Sequence, residues 1–152
     1  MTSTNRWKWL LPALGMLLSL GCGGPVADYS MVELVTASGT VTMDGAPLAG
    51  AVVTFEDRND DTFSYALTDA AGNYVLQFDS EMKGVKTGKK VVRISTTKKI
   101  LGLNTAPASE GGDPDAKRSD QERVPEKYNK KSILEVEVSK GSVRFDFDLK
   151  ST

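Results

Sequence analysis

The chain has 152 residues, a formal net charge of −1, no histidine and one cysteine. Those counts exclude a Ser–His or Cys–His nucleophile pair, a histidine-ligated zinc centre and an internal disulfide, and they argue against the clustered basic face of a nucleic-acid binder. At 39% hydrophobic and 26% charged residues, the length suits one folded domain. Residues 1–21 stand apart. Arg6 and Lys8 precede an uncharged, largely apolar stretch of 12 residues from Leu10 to Gly21. As a helix that stretch reaches only ~18 Å, short of the ~30 Å hydrocarbon core of a bilayer, so a signal helix for export is expected rather than a retained span.

Ser19-Leu20-Gly21-Cys22 resembles the lipobox of bacterial lipoprotein signal peptides. The resemblance implies cleavage between Gly21 and Cys22, a diacylglycerol on the Cys22 thiol and acylation of the new amine. It departs from the pattern at Ser19, where leucine is usual, with Leu18 and Leu20 on either side. Acyl chains at ~0.8 kcal/mol per buried CH₂ would then anchor the protein to a membrane. Gly23, in place of an aspartate after the cysteine, points toward the outer membrane of the cell envelope. Both tryptophans, Trp7 and Trp9, would leave with the signal. Residues 22–36 read as the lipidated cysteine and a tether, opening Gly23-Gly24-Pro25; fully extended it spans ~45–50 Å.

From residue 37 the hydrophobic period is two, as in half-buried strands. Val41 and Met43 alternate with threonines, and Val53 and Phe55 with Thr54 and Glu56. Phe63, Tyr65 and Leu67 alternate with Ser64, Ala66 and Thr68; Tyr74, Leu76 and Phe78 follow, then Val92 and Ile94. Leu134, Val136 and Val138 alternate with Glu135 and Glu137, and Val143, Phe145, Phe147 and Leu149 with Arg144, Asp146 and Asp148. The larger apolar member of each alternation is expected in the core. Asp44-Gly45, Asn59-Asp60-Asp61, Ala71-Gly72-Asn73 and Lys140-Gly141 mark turns, the last predicting a hairpin of the final two strands. The expected fold is all-β, a seven-stranded antiparallel β-sandwich over residues 37–150. One stretch, 98–131, is a long charged loop with eight basic and six acidic residues. Connections of that length are commonly functional. Its middle, 105–120, reads as disordered, whereas Val124-Pro125-Glu126-Lys127-Tyr128 should pack back on the sandwich.

The run from Gly39 to Phe55, with Gly45-Ala46-Pro47-Leu48-Ala49-Gly50-Ala51 at its centre, resembles the opening of carboxypeptidase regulatory-like domains, which are transthyretin-like β-sandwiches. Thr68-Asp69-Ala70-Ala71-Gly72-Asn73-Tyr74 matches the next hallmark of that family, and Gly88 to Ile94 echoes a third. The tail from Val124 to Leu149 is similar to that of small planctomycete-type envelope lipoproteins carrying this domain. The resemblance implies an accessory or stand-alone envelope module. It brings no peptidase activity, because its motifs are structural: glycines for tight turns, Pro47 to fix φ, Asp69 to cap.

Candidate sites are few. Asp57, Asn59, Asp60 and Asp61 offer oxygen ligands, but Thr62 and Thr68 stand where a calcium-binding EF-hand loop needs Gly and Glu, so no metal site is assigned. Glu135, Glu137, Asp146 and Asp148 face outward on strands and suit edge protection better than acid–base chemistry, so no catalytic residue is assigned. Tyr29 and Tyr128 are the aromatics expected to be free for stacking a sugar. Lys127, Tyr128, Lys130 and Lys131 form the candidate interaction surface, near Lys98 and Lys99. The sequence thus predicts a non-enzymatic, lipid-anchored envelope module without a cofactor beyond its acyl lipid. Its partner would be an envelope protein or, alternatively, a polysaccharide.

Overall fold

A computed structural model describes residues 32–100, 103–104, 121–141 and 143–152. The stretch expected to be a signal, Gly21, Cys22, Tyr29 and segment 105–120 lie outside the described residues. The protein is all-β. Its strands are β1 (Leu34–Val35), β2 (Ser38–Met43), β3 (Ala46–Pro47), β4 (Val52–Asp57), β5 (Phe63–Leu67), β6 (Asn73–Val75), β7 (Val85–Lys86), β8 (Gly88–Ser95), β9 (Leu134–Val138) and β10 (Phe147–Leu149). One antiparallel sheet has the order β5-β4-β8-β9; in a second, β2 is flanked by β3, β6 and β10; β1 and β7 form a separate pair. Among the described residues, strand pairing therefore begins at Leu34, within the stretch read as tether.

Local chemistry places the turns. Asp44 and Gly45 both have positive φ, 51° and 82°, as a two-residue hairpin loop joining β2 to β3 demands. Asp69 Oδ1 accepts from the Ala71 and Asn73 amides and so closes the turn before β6. Gly72, at φ 78°, sits where a Cβ would lie 2.4 Å from the Val41 carbonyl oxygen. A side chain there would be strained and would also clash.

The core lies between the two larger sheets. Val53, Phe55, Val92 and Ile94 come from one, and Val41, Tyr74 and Leu149 from the other. Phe55 is its aromatic centre, with ring centroids 5.5 Å from Phe145, 6.2 Å from Phe147 and 6.4 Å from Tyr74. Burying each of these aliphatic or aromatic side chains contributes about 1.5–3 kcal/mol before conformational entropy is counted.

Three expectations are corrected. The final two strands do not form a hairpin: β9 pairs antiparallel with β8, whereas β10 crosses to the other sheet and runs parallel to β2, Phe147 opposite Val41. The sheets are thus not antiparallel throughout. In β5 the phase is inverted. Ser64, Ala66 and Thr68 are buried, while Phe63 is 44% exposed and Tyr65 and Leu67 are only half-buried. Ser64 stands opposite Phe55 and Ala66 opposite Val53, so the volume beneath β5 is already filled from across the ladder and admits only small side chains. Val143, ahead of β10, is also exposed.

Candidate functional site

Between β8 and β9 one carboxylate, Glu122, ties the end of β8 to the described residues that follow Gln121. Glu122 Oε1 accepts from the Thr96 amide (2.9 Å), the Thr96 hydroxyl (2.9 Å) and the Val124 amide (3.0 Å). Oε2 accepts from Ser95 Oγ (2.5 Å), Thr97 Oγ1 (3.0 Å) and Asn129 Nδ2 (2.8 Å). Burial pushes this carboxyl's pKa up, but the donors from Ser95, Thr96 and Val124 outweigh it and bring it down to about 2. With six donors on two oxygens, Glu122 is held ionised and functions as a clasp. A groove of about 510 Å³ opens beside it, lined among others by Ser95, Lys98, Glu122, Pro125, Asn129 and Lys130.

Arg93 makes the second tie. On the outer face of β8 its Nε donates to Glu56 at 2.7 Å, and Nη1 donates to the Asn129 and Lys130 carbonyl oxygens at 2.6 and 2.8 Å. Val124 is buried, and Tyr128 packs against the core cluster. The segment after Gln121 therefore packs back on the sheets as the sequence predicts.

The four candidate interaction residues share a single 3-10 turn, Glu126–Tyr128, and the residues after it, but their contacts are largely internal. Lys127 Nζ lies 5.1 Å from the Tyr128 ring centroid and donates to the Thr152 carbonyl oxygen at 2.8 Å. Tyr128 Oη accepts from the Lys150 amide, so Tyr128 is not the free stacking residue expected. Lys131 pairs with Glu126 at 2.9 Å, and Lys130 is exposed. Two of the three aspartates considered as oxygen ligands are likewise engaged. Asp60 pairs with Lys86 at 2.7 Å, and Asp57 pairs with the buried Lys90 at 2.6 Å.

Sequence reasoning missed the Lys90–Asp57 pair, although its signal was present. Lys90 is in phase with Val92 and Ile94, and Asp57 with Val53 and Phe55, so two opposite charges occupy inward positions on strands that pair in that register. It missed Glu122 as well, which carries no periodic signature. It also missed the outward aromatics: Phe63 and Tyr65 lie side by side with ring centroids 6.1 Å apart, and Lys98 Nζ sits 5.4 Å from the Phe63 ring. Among the described residues no helix is long and apolar enough to cross a membrane. Comparison with protein-family models, with curated proteins and with solved structures gives no match.

Proposed function

We propose that this chain is a non-enzymatic, lipid-anchored module of the bacterial cell envelope, a carboxypeptidase regulatory-like β-sandwich that acts by protein contact. The observation that carries the reading is the position of the chain's one cysteine, Cys22, at the end of an export signal in a lipobox-like setting. An all-β fold with its core between two sheets is what such a module requires. The internal engagement of Glu122, Asp57 and Asp60 supports structural roles for these carboxylates rather than acid–base roles. Cys22→Ala is expected to release the protein from the membrane fraction on cell fractionation; an unchanged membrane-bound fraction overturns the anchor. In-cell crosslinking of the tagged chain is expected to capture a discrete envelope protein, and empty capture overturns the contact role. A version with 105–120 replaced by a short Gly-Ser linker locates the contact: loss of the partner assigns it to the excursion, retention to a strand edge.

A second reading, polysaccharide binding, is favoured by the outward Phe63–Tyr65 pair, since exposed aromatic rings stack on sugar faces. It predicts retention of the purified protein on cell-wall or algal polysaccharides, lost in Phe63→Ala/Tyr65→Ala.

A further inference from the structure

From the architecture of the β5-β4-β8-β9 sheet we infer that β9 is a docking edge for an extended peptide segment that alternates basic and apolar residues. The inference rests on the protein-contact reading and names the surface and the chemistry of the partner.

The two edges of the sheet differ. Beyond β5, the Tyr65 amide donates to the Gln77 carbonyl and the Gln77 amide to that of Tyr65, both at 2.8 Å, so that edge is partly capped by the chain itself. Among the described residues no strand pairs with β9 on its other side, and the chain itself takes only the Ile133 amide just before it, which donates to the Lys127 carbonyl at 3.0 Å. The Val92 carbonyl oxygen accepts from Ser132 Oγ, just before β9, so Val92 turns its backbone groups toward β9. Antiparallel ladders alternate. In the register Val92–Leu134, Val91–Glu135, Lys90–Val136, Lys89–Glu137, the residues that turn their N–H and C=O to the open edge are therefore Glu135 and Glu137. The same two side chains are exposed on the outer face, while Leu134 and Val136 are left half-buried at the rim of the core. Ile133, just before the strand, is 71% exposed.

The partnered side of β9 shows what complements it. β8 sets Lys89 opposite Glu137 and Val92 opposite Leu134, whereas Val91 stands opposite Glu135 and Lys90 opposite Val136; the Glu135 charge is met by Arg58, just past β4, at 2.5 Å. On the open side, a strand that alternates basic and apolar residues would place basic residues against Glu135 and Glu137 and apolar residues over Leu134 and Val136. A second copy of β9 does not fit. Antiparallel self-pairing about Val136 sets glutamate against glutamate, and like charges directly opposite one another destabilise a ladder. The edge thus selects against its own kind and for a basic–apolar segment, added as a strand.

The test uses the full-length protein in detergent and two labelled, capped heptapeptides, one alternating lysine with valine and one alternating glutamate with valine, with binding read by fluorescence anisotropy. The lysine peptide is expected to bind at least about tenfold tighter than the glutamate peptide. Hydrogen exchange should slow at the Glu135 and Glu137 amides when it binds. Glu135→Lys/Glu137→Lys should reverse the preference. Should that variant fail to fold, Glu135→Gln/Glu137→Gln should abolish the preference while retaining exchange protection. Absence of binding, equal binding of the two peptides, an unreversed preference in the folded variant, or protection elsewhere than β9 each overturns the assignment. The two proposals fail separately. A protein partner captured equally by the parent and by Glu135→Lys/Glu137→Lys removes the β9 edge and leaves protein contact standing, whereas empty capture by the parent chain removes the contact reading itself.

Discussion

Glu122 ties two described stretches of the chain together without a covalent link. The stretch it closes runs from Ser95 to Asn129, and six donors converge on its two oxygens. Glutamine in its place would keep one acceptor oxygen and turn an amide donor toward groups that themselves donate. Glu122→Gln is therefore expected to lose about 1–3 kcal/mol in urea unfolding at neutral pH. Because the folded carboxyl titrates at about 2 rather than at its ordinary 4.5, its contribution is complete above pH 4.5 and is lost as pH falls toward 2. The gap between parent and variant should narrow over that window; a gap constant from pH 7 to 2 would refute the assignment. Lys90 illustrates a different balance. With its side chain 2% exposed, it holds Asp57 and the Thr87 carbonyl oxygen, so the pair is desolvated but matched. Such a pair is costly to break from one side and adds little over a well-packed apolar replacement.

At the level of elements, the parallel contact between β2 and β10 depends on a missing side chain. Gly39 lets the Phe145 carbonyl approach so closely that a Cβ would lie 1.8 Å from its oxygen, and Tyr74 Oη donates to that same oxygen at 2.6 Å. Gly39→Ala should accordingly destabilise the protein by about 3 kcal/mol and accelerate amide exchange in β10 before β4 or β8. Loss confined to the far sheet would contradict this. Strand positions and turns were legible in the sequence because each is a local matter: the alternation around Val53 and Phe55, the Asp44-Gly45 pair, the Asp69 cap. What could not be read was which side of β5 faces inward. Period two separates Phe63, Tyr65 and Leu67 from Ser64, Ala66 and Thr68, but the choice between the sets depends on the large Phe55 and Val53 opposite them. The turn signal at Lys140-Gly141 was real, yet the partner of β10 lies about a hundred residues upstream, where no local pattern reaches. Of the candidate surface, the return of Tyr128 to the core was visible, and the Glu122 clasp beneath it was not.

For the whole molecule, the order of strands divides labour between the two sheets. The sheet built from β4, β5, β8 and β9 contains the open edge and the outward aromatics. The other sheet joins the first long strand of the described chain to the last. Thr40 and Thr42 are hydrogen-bonded to Asp146 and Asp148 across 106 residues of sequence, so nearly the whole domain separates β2 from β10, its most distant neighbour. This arrangement has a mechanical consequence. In a parallel pair the beginning of one strand and the end of the other lie at opposite ends of the ladder. Tension applied between the N-terminal side of β2 and the chain's C terminus would therefore load the β2–β10 bonds together, in shear, instead of peeling them apart one at a time. The two-residue β1–β7 pair would yield first and lengthen the leash, and the domain behind it would resist as one body.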